Sequence, residues 1–258
     1  TDECSLAGVV RAHMAAKACG MKLIVGSEMR LSEGLRVVIL ATDRVGYGNL
    51  SALITRGRRN AIKGTYRLAF SDLDGGLPGC LALLLPDPLP TLTQARQFAA
   101  RFPGRAWLVA ERFRAPDDAD RLAALDALGE AAGLPRVAAG DVHMHVAERR
   151  ALQDTLTAIR LGVPLTEAGH ALYPNGERHL RDRAELARLY PAKWLEETLA
   201  VAARCRFSLD ELRYEYPEEL VPAGETPISH LRKLTETGLA QRFPDGTPDK
   251  VRALVEHE

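Results

Sequence analysis

The chain of 258 residues carries 34 Lys+Arg against 34 Asp+Glu, so its formal net charge is zero and no global field draws it to nucleic acid or an anionic membrane. Its 46% hydrophobic content suffices for one large core, or for a domain with an appendage. No apolar run approaches the length of a membrane span, no signal peptide opens the chain, and Cys4, Cys19, Cys80 and Cys205 lack CxxC spacing; a reduced, cytoplasmic protein with no membrane partner is expected.

The chain opens TDEC, without Met, at what reads as a strand end; at least one strand is expected upstream of Asp2 and Glu3. Ser5 reads as the cap of a helix over 6–19, stopped by Gly20, with His13 an ordinary helix-face histidine. Met21 to Val25 reads as a buried strand running into Gly26, Ser27 and Glu28. Arg36 to Ala41, RVVILA, is a second strand, too close behind for a crossover helix, so the pair is antiparallel or irregular. A helix is predicted over 46–61, with Leu50, Leu53 and Ile54 turned inward. Arg56, Arg58, Arg59, Lys63 and Arg67 form a local basic cluster. Without aromatic interleaving it reads as a solvated face before a phosphate platform.

Cys80 to Leu85 is a continuous apolar run, hence a buried strand, ended by Pro86, Pro88 and Pro90. Thr91 caps the next helix, which carries Ala95, Phe98 and Ala99. A strand over 106–110 is followed by Glu111, and a helix over 116–132 turns Leu122, Leu125 and Leu128 to the core.

The stretch from Arg136 to Arg160 is the most informative. A short strand, Val137 to Ala139, breaks at Gly140, and Asp141, His143 and His145 alternate after it. The pattern then turns helical, with Leu152, Leu156 and Ile159 on one face, read as the core face of a helix over 146–160. Asp141 and His143 can reach one divalent ion; equally, Asp141 can cap the helix and His143 be a satisfied loop histidine. The repeated strand–helix order argues for an α/β barrel or open sheet. Acids follow several strands: Asp2, Glu3, Glu28, Glu111 and Asp141. If they share a rim they form a candidate metal or acid/base site, with Glu28, Asp141 and His143 pointing into one cavity. Beyond residue 165 come a loop, YPNGERHLRD, helices over 183–189 and 192–205, a Pro-rich linker over 217–227, and a charged helical stretch over 228–258.

Several motifs together resemble the N-terminal PHP domain of bacterial C-family DNA polymerase alpha subunits, closest to the error-prone (DnaE-like) branch. They are TDECSLAGVVRA (1–12), KLIVGSEMRL (22–31), GYGNLSALITRGRR (46–59), AAGDVHMHVAERRALQDTLTAIRLG (138–162), YPNGERHLR (173–181) and ARCRFSLDELRYEYPEELVPAG (203–224). The resemblance covers essentially the whole chain and implies an α/β fold, a PHP-type distorted (β/α)7 barrel whose first strand this chain lacks. The barrel would occupy 1–164, its end and a helical linker region 165–224, and the start of the polymerase palm 225–258. It further implies Asp2, Glu3, Glu28, Asp141 and His143 as metal ligands for Zn or Mn at a weakened site. The family's polymerase reaction uses Mg²⁺, and its partners are DNA, deoxynucleotides, the other polymerase domains, mutasome proteins and the sliding clamp. This sequence departs from the family pattern. The upstream H-x-H segment is absent, Glu3 stands where a His is usual, Arg36 lies near a family His, and Pro86 or Asp87 lies at a family Cys or His. Those changes imply a remnant site in which Arg36 pairs with a carboxylate, and a domain that scaffolds a polymerase. An active metal-dependent phosphoesterase or 3′–5′ exonuclease is the alternative, and a pure interaction module a third.

Overall fold

The computed structural model describes residues 1–213 and 221–258. Part of the expected linker over 217–227 lies outside the described residues. The chain divides into two units, 1–212 and 213–258.

In the first unit six strands form one mixed sheet in sequence order: β1 (Asp2–Glu3), β2 (Gly26–Arg30), β3 (Arg36–Ala41), β4 (Cys80–Leu84), β5 (Ala106–Glu111) and β6 (Arg136–Ala139). β1 runs parallel to β2, β3 is antiparallel to both of its neighbours, and β4, β5 and β6 are parallel. Five residues separate β2 from β3, which allows only a reversal; the parallel β4–β5 and β5–β6 pairs are joined through α3 (Leu92–Arg101) and α4 (Asp118–Ala132). The strands over 36–41, 80–84 and 106–111 fall where their apolar runs place them.

β2 is shifted from its expected position. The apolar run Met21 to Val25 only approaches the sheet, with Met21 exposed, and the ladder begins at Gly26 opposite Leu40. Glu28 is therefore a mid-strand residue. Its partner explains the shift: register is set by which β2 residues match the buried face of β3, whatever the hydrophobicity of β2 read alone. The first helix, α1 (Val9–Ala18), is shorter than expected. Ser5 Oγ accepts from the Ala7 amide at 3.0 Å and shapes a turn ahead of the helix, whose cap position is Gly8.

The alternation of side chains divides the sheet into two faces. One carries Met29, Val37, Ile39, Ala82, Leu84, Leu108 and Ala110 and packs under α2 (Arg44–Arg59), α3 and α4 with Leu50, Leu53, Phe98 and Leu125. Asp43 caps α2, accepting from the Gly46 amide at 2.8 Å; Thr91 and Gln94 form the capping box of α3. The opposite face carries Leu40, Leu81, Trp107, Val109 and Val137. Part of it is covered by α7 (Ala192–Arg204), through Val201 and the following Cys205. The rest stays open as a cavity.

α5 (Arg150–Leu161) corrects the sequence reading. Leu152, Leu156 and Ile159, taken as its core face, are 49%, 52% and 70% exposed, while Thr157 and Ala158 are buried. The spacing identified a face correctly; the cavity takes the polar side of the helix, through Gln153, Thr157 and Arg160, and the leucine side turns outward. The segment from 165 to 182 meets the start of α5, where Arg150 donates to the Tyr173 carbonyl at 2.9 Å, and leads to α6 (Arg183–Leu189) and α7, both as expected. In the second unit, the expected helical run is two helices, α8 (Pro227–Arg242) and α9 (Asp249–His257), broken at FPDGTP. Thr226 caps α8, and Arg232–Glu256 and Arg252–Glu236 ion pairs join the two.

Candidate active site

The open cavity on the second sheet face holds about 920 Å³. Its floor follows from strand parity. Glu28 stands opposite Val38, so Glu28, Arg36, Val38 and Leu40 share a face, continued by Leu83, Val109, Glu111 and Ala139 on the next strands. Glu3, opposite Glu28, falls on the same face; Asp2, one residue earlier, does not. After β6 the chain turns at Gly140, and Asp141 takes a positive φ of 40°, a conformation Asp tolerates better than most side-chain-bearing residues. That corner brings Asp141, Val142 and His143 over the cavity.

Glu28, Asp141 and His143 therefore line one cavity, together with Glu3 and with Glu111, another strand-end acid. Asp2 stands apart: its Oδ2 accepts from the Gly8 amide at 2.8 Å, ahead of α1. Glu3 Oε1 accepts from the Tyr66 hydroxyl at 2.7 Å. On the antiparallel β2–β3 ladder Arg36 lies diagonal to Glu28, within reach of a long side chain. Arg36 Nε donates to Glu28 Oε1 at 2.9 Å, and Nη2 donates to the same oxygen. The Arg36–carboxylate pair expected from the resemblance is thus present. Burial alone opposes the charged guanidinium, but the Glu28 hydrogen bond together with the charges of Glu28, Asp141 and Glu111 overcomes it and raises the Arg36 pKa.

A second arginine in the site was missed by sequence reasoning. Arg178 Nε donates to Asp141 Oδ2 at 2.9 Å, and its guanidinium lies 3.8 Å from the Phe113 ring centroid and 4.1 Å from that of Tyr173. Its carbonyl accepts from the His143 and Met144 amides, so the strap around 178 pairs directly with the Asp141 corner. His143 Nε2 lies 3.1 Å from Asp141 Oδ1 and 2.9 Å from the Tyr173 hydroxyl. Burial alone would raise the Asp141 pKa; the hydrogen bonds from His143 and Arg178, with their charges, hold it well below the usual carboxylate range. Tyr173 is pushed up by burial and by the Asp141 charge. Both residues lie in YPNGERHLR, a motif the sequence displays but whose spacing gives no hint that it folds back on residues 30 to 37 positions earlier.

Glu111 is pushed up to about 7 by burial, with Asp141 adding and Arg36 and Arg178 opposing. Among the described residues no group of three or more His, Cys, Asp or Glu stands close enough together to hold a metal ion. Glu28 and Asp141 each already meet a guanidinium, so the donor set as it stands does not fit a resident divalent ion.

No family model matches the chain. Curated proteins match it from end to end: 59% identity to a protein of Dechloromonas aromatica, 60% to one of Methylococcus capsulatus and 55% to one of Pseudomonas aeruginosa, each covering 100% of this chain. All three carry one name. The chain is similar over its whole length to error-prone DNA polymerases. It spans about a quarter of the length of these curated relatives, 25–26%. The resemblance to the error-prone polymerase branch thus holds at more than half of all positions, with the cavity residues and their strap inside the matched region. No helix among the described residues is long and apolar enough to cross a membrane.

Proposed function

We propose that the chain is the PHP-type domain of an error-prone DNA polymerase, a scaffold whose metal site has been replaced by arginine–carboxylate pairs. The parent enzyme extends a primer on damaged DNA with deoxynucleotides and Mg²⁺, using palm residues beyond this chain, in the cytoplasm, alongside mutasome proteins and the sliding clamp. Whole-chain similarity to error-prone DNA polymerases supports the assignment. The observation that carries the scaffold reading is the pairing of Glu28 with Arg36, reinforced by that of Asp141 with Arg178. A permanently charged guanidinium between clustered carboxylates neutralises them as an ion would, yet activates no water. Zn or Mn at Glu28, Asp141 and His143, with Glu3 and Asp2 as the outer candidates, would have to displace both arginines.

The test is metal content. The chain purified without chelator is expected to hold far less than one Zn or Mn per molecule. It is expected to show no turnover on a generic phosphodiester or a 3′-mismatched DNA, and no primer extension. Arg36→His, which removes the guanidinium and supplies an imidazole, should raise metal uptake. Stoichiometric metal in the native chain, with turnover abolished by Asp141→Ala, would establish the second reading, a metal-dependent phosphoesterase or 3′–5′ exonuclease. The retained Asp141–His143 contact at 3.1 Å is what favours that reading.

A further inference from the structure

We infer that the surface built around the C-terminal end of α2 is a contact for the phosphodiester backbone of a nucleic acid. The kind of polyanion rests on the polymerase reading above; the location rests on charge and geometry alone. Between Asp43 and Asp72 the chain has no acidic residue, yet it carries Arg44, Arg56, Arg58, Arg59, Lys63 and Arg67, in a protein whose net charge is zero and whose remainder is therefore acidic. On one helix such a run would be a solvated face that complements the helix dipole. Three observations take it further.

The fold gathers cations from separate segments onto one surface. The Arg67 amide donates to the Gly57 carbonyl at 3.0 Å, which lays the loop after α2 back along the helix. The Arg30 amide donates to the Tyr66 hydroxyl at 2.9 Å, which brings the end of β2 alongside. The cations also divide by use. Arg58 is turned inward: it donates to the carbonyls of Cys4, Glu3 and Thr65 and lies 5.5 Å over the Tyr66 ring, tying the surface together. Arg59, Lys63 and Arg67 are exposed and make no side-chain hydrogen bond or ion pair among the described residues. Acids that bond to the same stretch of chain, finally, are already engaged. Glu3 accepts from Tyr66, Glu33 from the Phe70 amide, and Asp72 from the Ala69 amide at 2.8 Å while meeting Arg56 at 3.4 Å. Three neighbouring cations are thereby left facing solvent. Tyr66, the one aromatic ring in the cluster, is held under Arg58, so base stacking is not expected. The contact should be independent of sequence and strongly dependent on salt.

The experiment is fluorescence anisotropy of the full chain with a labelled single-stranded oligodeoxynucleotide and with its duplex, from about 50 to about 200 mM salt. The native chain should bind, with log K falling linearly against log[salt]. The combined variant Arg59→Gln, Lys63→Gln, Arg67→Gln should flatten that slope by about 2 to 3 and weaken binding at least roughly tenfold at the low-salt end. A control changing Arg121→Gln, Arg188→Gln and Lys193→Gln, exposed cations elsewhere, should leave both unchanged. Circular dichroism checks that each variant folds. The tighter of the two native affinities at equal salt tells whether single strand or duplex is the better partner. An unchanged slope in the first variant, or equal losses in the control, overturns the proposal. So does binding only to phosphatidylglycerol vesicles, which would make the surface a membrane contact. None of these outcomes touches the Arg36–Glu28 pair, and the metal measurement does not touch this surface, so failure of one reading is distinguishable from failure of the other.

Discussion

Glu111, like Glu3, is a cavity carboxylate with no guanidinium hydrogen bond among the described residues, and unlike Glu3 it has no hydroxyl partner either. Glu28 has Arg36 and Asp141 has Arg178, whereas Glu111 sits at the end of β5 under desolvation and beside the Asp141 charge. Its pKa is pushed up to about 7 from 4.5. A carboxyl whose folded pKa lies above its unfolded value costs stability as it ionises. The cost is absent below about pH 4.5, where both states are protonated; it grows as pH rises and is complete above about 7. A shift of this size corresponds to an effect on the order of 3 kcal/mol at most. Glu111→Gln, isosteric and neutral, should therefore raise the thermal midpoint at pH 8 and leave it nearly unchanged at pH 4. A uniform shift at both pH values would show that side-chain packing, not charge, governs the position. At this scale the sequence was informative about the acids near strand ends: Glu111 and Asp141 reach the cavity from there, and Glu28, although mid-strand, reaches it too. Arg178 and Tyr173 were illegible because only tertiary packing delivers them, from a loop with no periodicity to read.

Two elements show where pattern reading succeeds and where it stops. In α2, the stripe of Leu50 and Leu53 faces the core as its spacing says. Two of the three glycines in the same helix differ in environment. A Cβ on Gly46 would collide with the backbone carbonyl of Gly79, which the loop before β4 presses against the helix; a Cβ on Gly48 would meet open space. Gly48→Ala should stabilise by roughly 0.5–1 kcal/mol through helix propensity. Gly46→Ala should destabilise by more than about 2 kcal/mol, because backbone must move on both sides. Chemical denaturation of the two variants gives the signs directly; equal signs would mean that the α2–Gly79 approach is looser than described. α5 is the contrary case. Its leucine stripe is as regular as that of α2, but periodicity identifies a face without saying which way it points. The cavity recruits Gln153, Thr157 and Arg160, so the apolar side is left outward. Leu156→Ala should cost under roughly 0.5 kcal/mol, as surface substitutions do. Leu125→Ala, at 3% exposure in α4, should cost about 2–5 kcal/mol. β2 belongs with α5: its register is fixed by β3, so Met21 to Val25 carried the strand signal five residues too early.

At the scale of the whole molecule, the order of strands and helices was legible from alternating apolar runs and breakers. What the pattern could not give was closure: the ladder runs from β1 to β6, and strand count and curvature depend on how distant edges meet. The division of the chain is a more local matter. The resemblance set boundaries at 164 and 224. In the structure, residues 165–212 pack into the first unit. Tyr190 and Trp194 enter the main core, Val201 and Cys205 cover the second sheet face, and Phe207 closes a third cluster with Val25 and Ala41. All three buried clusters draw only on residues up to Leu212. A polypeptide of residues 1–212 therefore contains every described residue of those three clusters, and it should unfold in one cooperative thermal transition with a sharp near-ultraviolet signal from Trp107 and Trp194. Ending the chain at 164 instead removes Tyr190, Trp194 and Val201 together with the strap over Asp141, and exposes Trp107. That shorter polypeptide should lose the near-ultraviolet signal and show no cooperative transition. If residues 1–164 melt as sharply as residues 1–212, the region after α5 is an appendage to the core, and the anchoring of Asp141 and His143 by Arg178 is not needed for the fold.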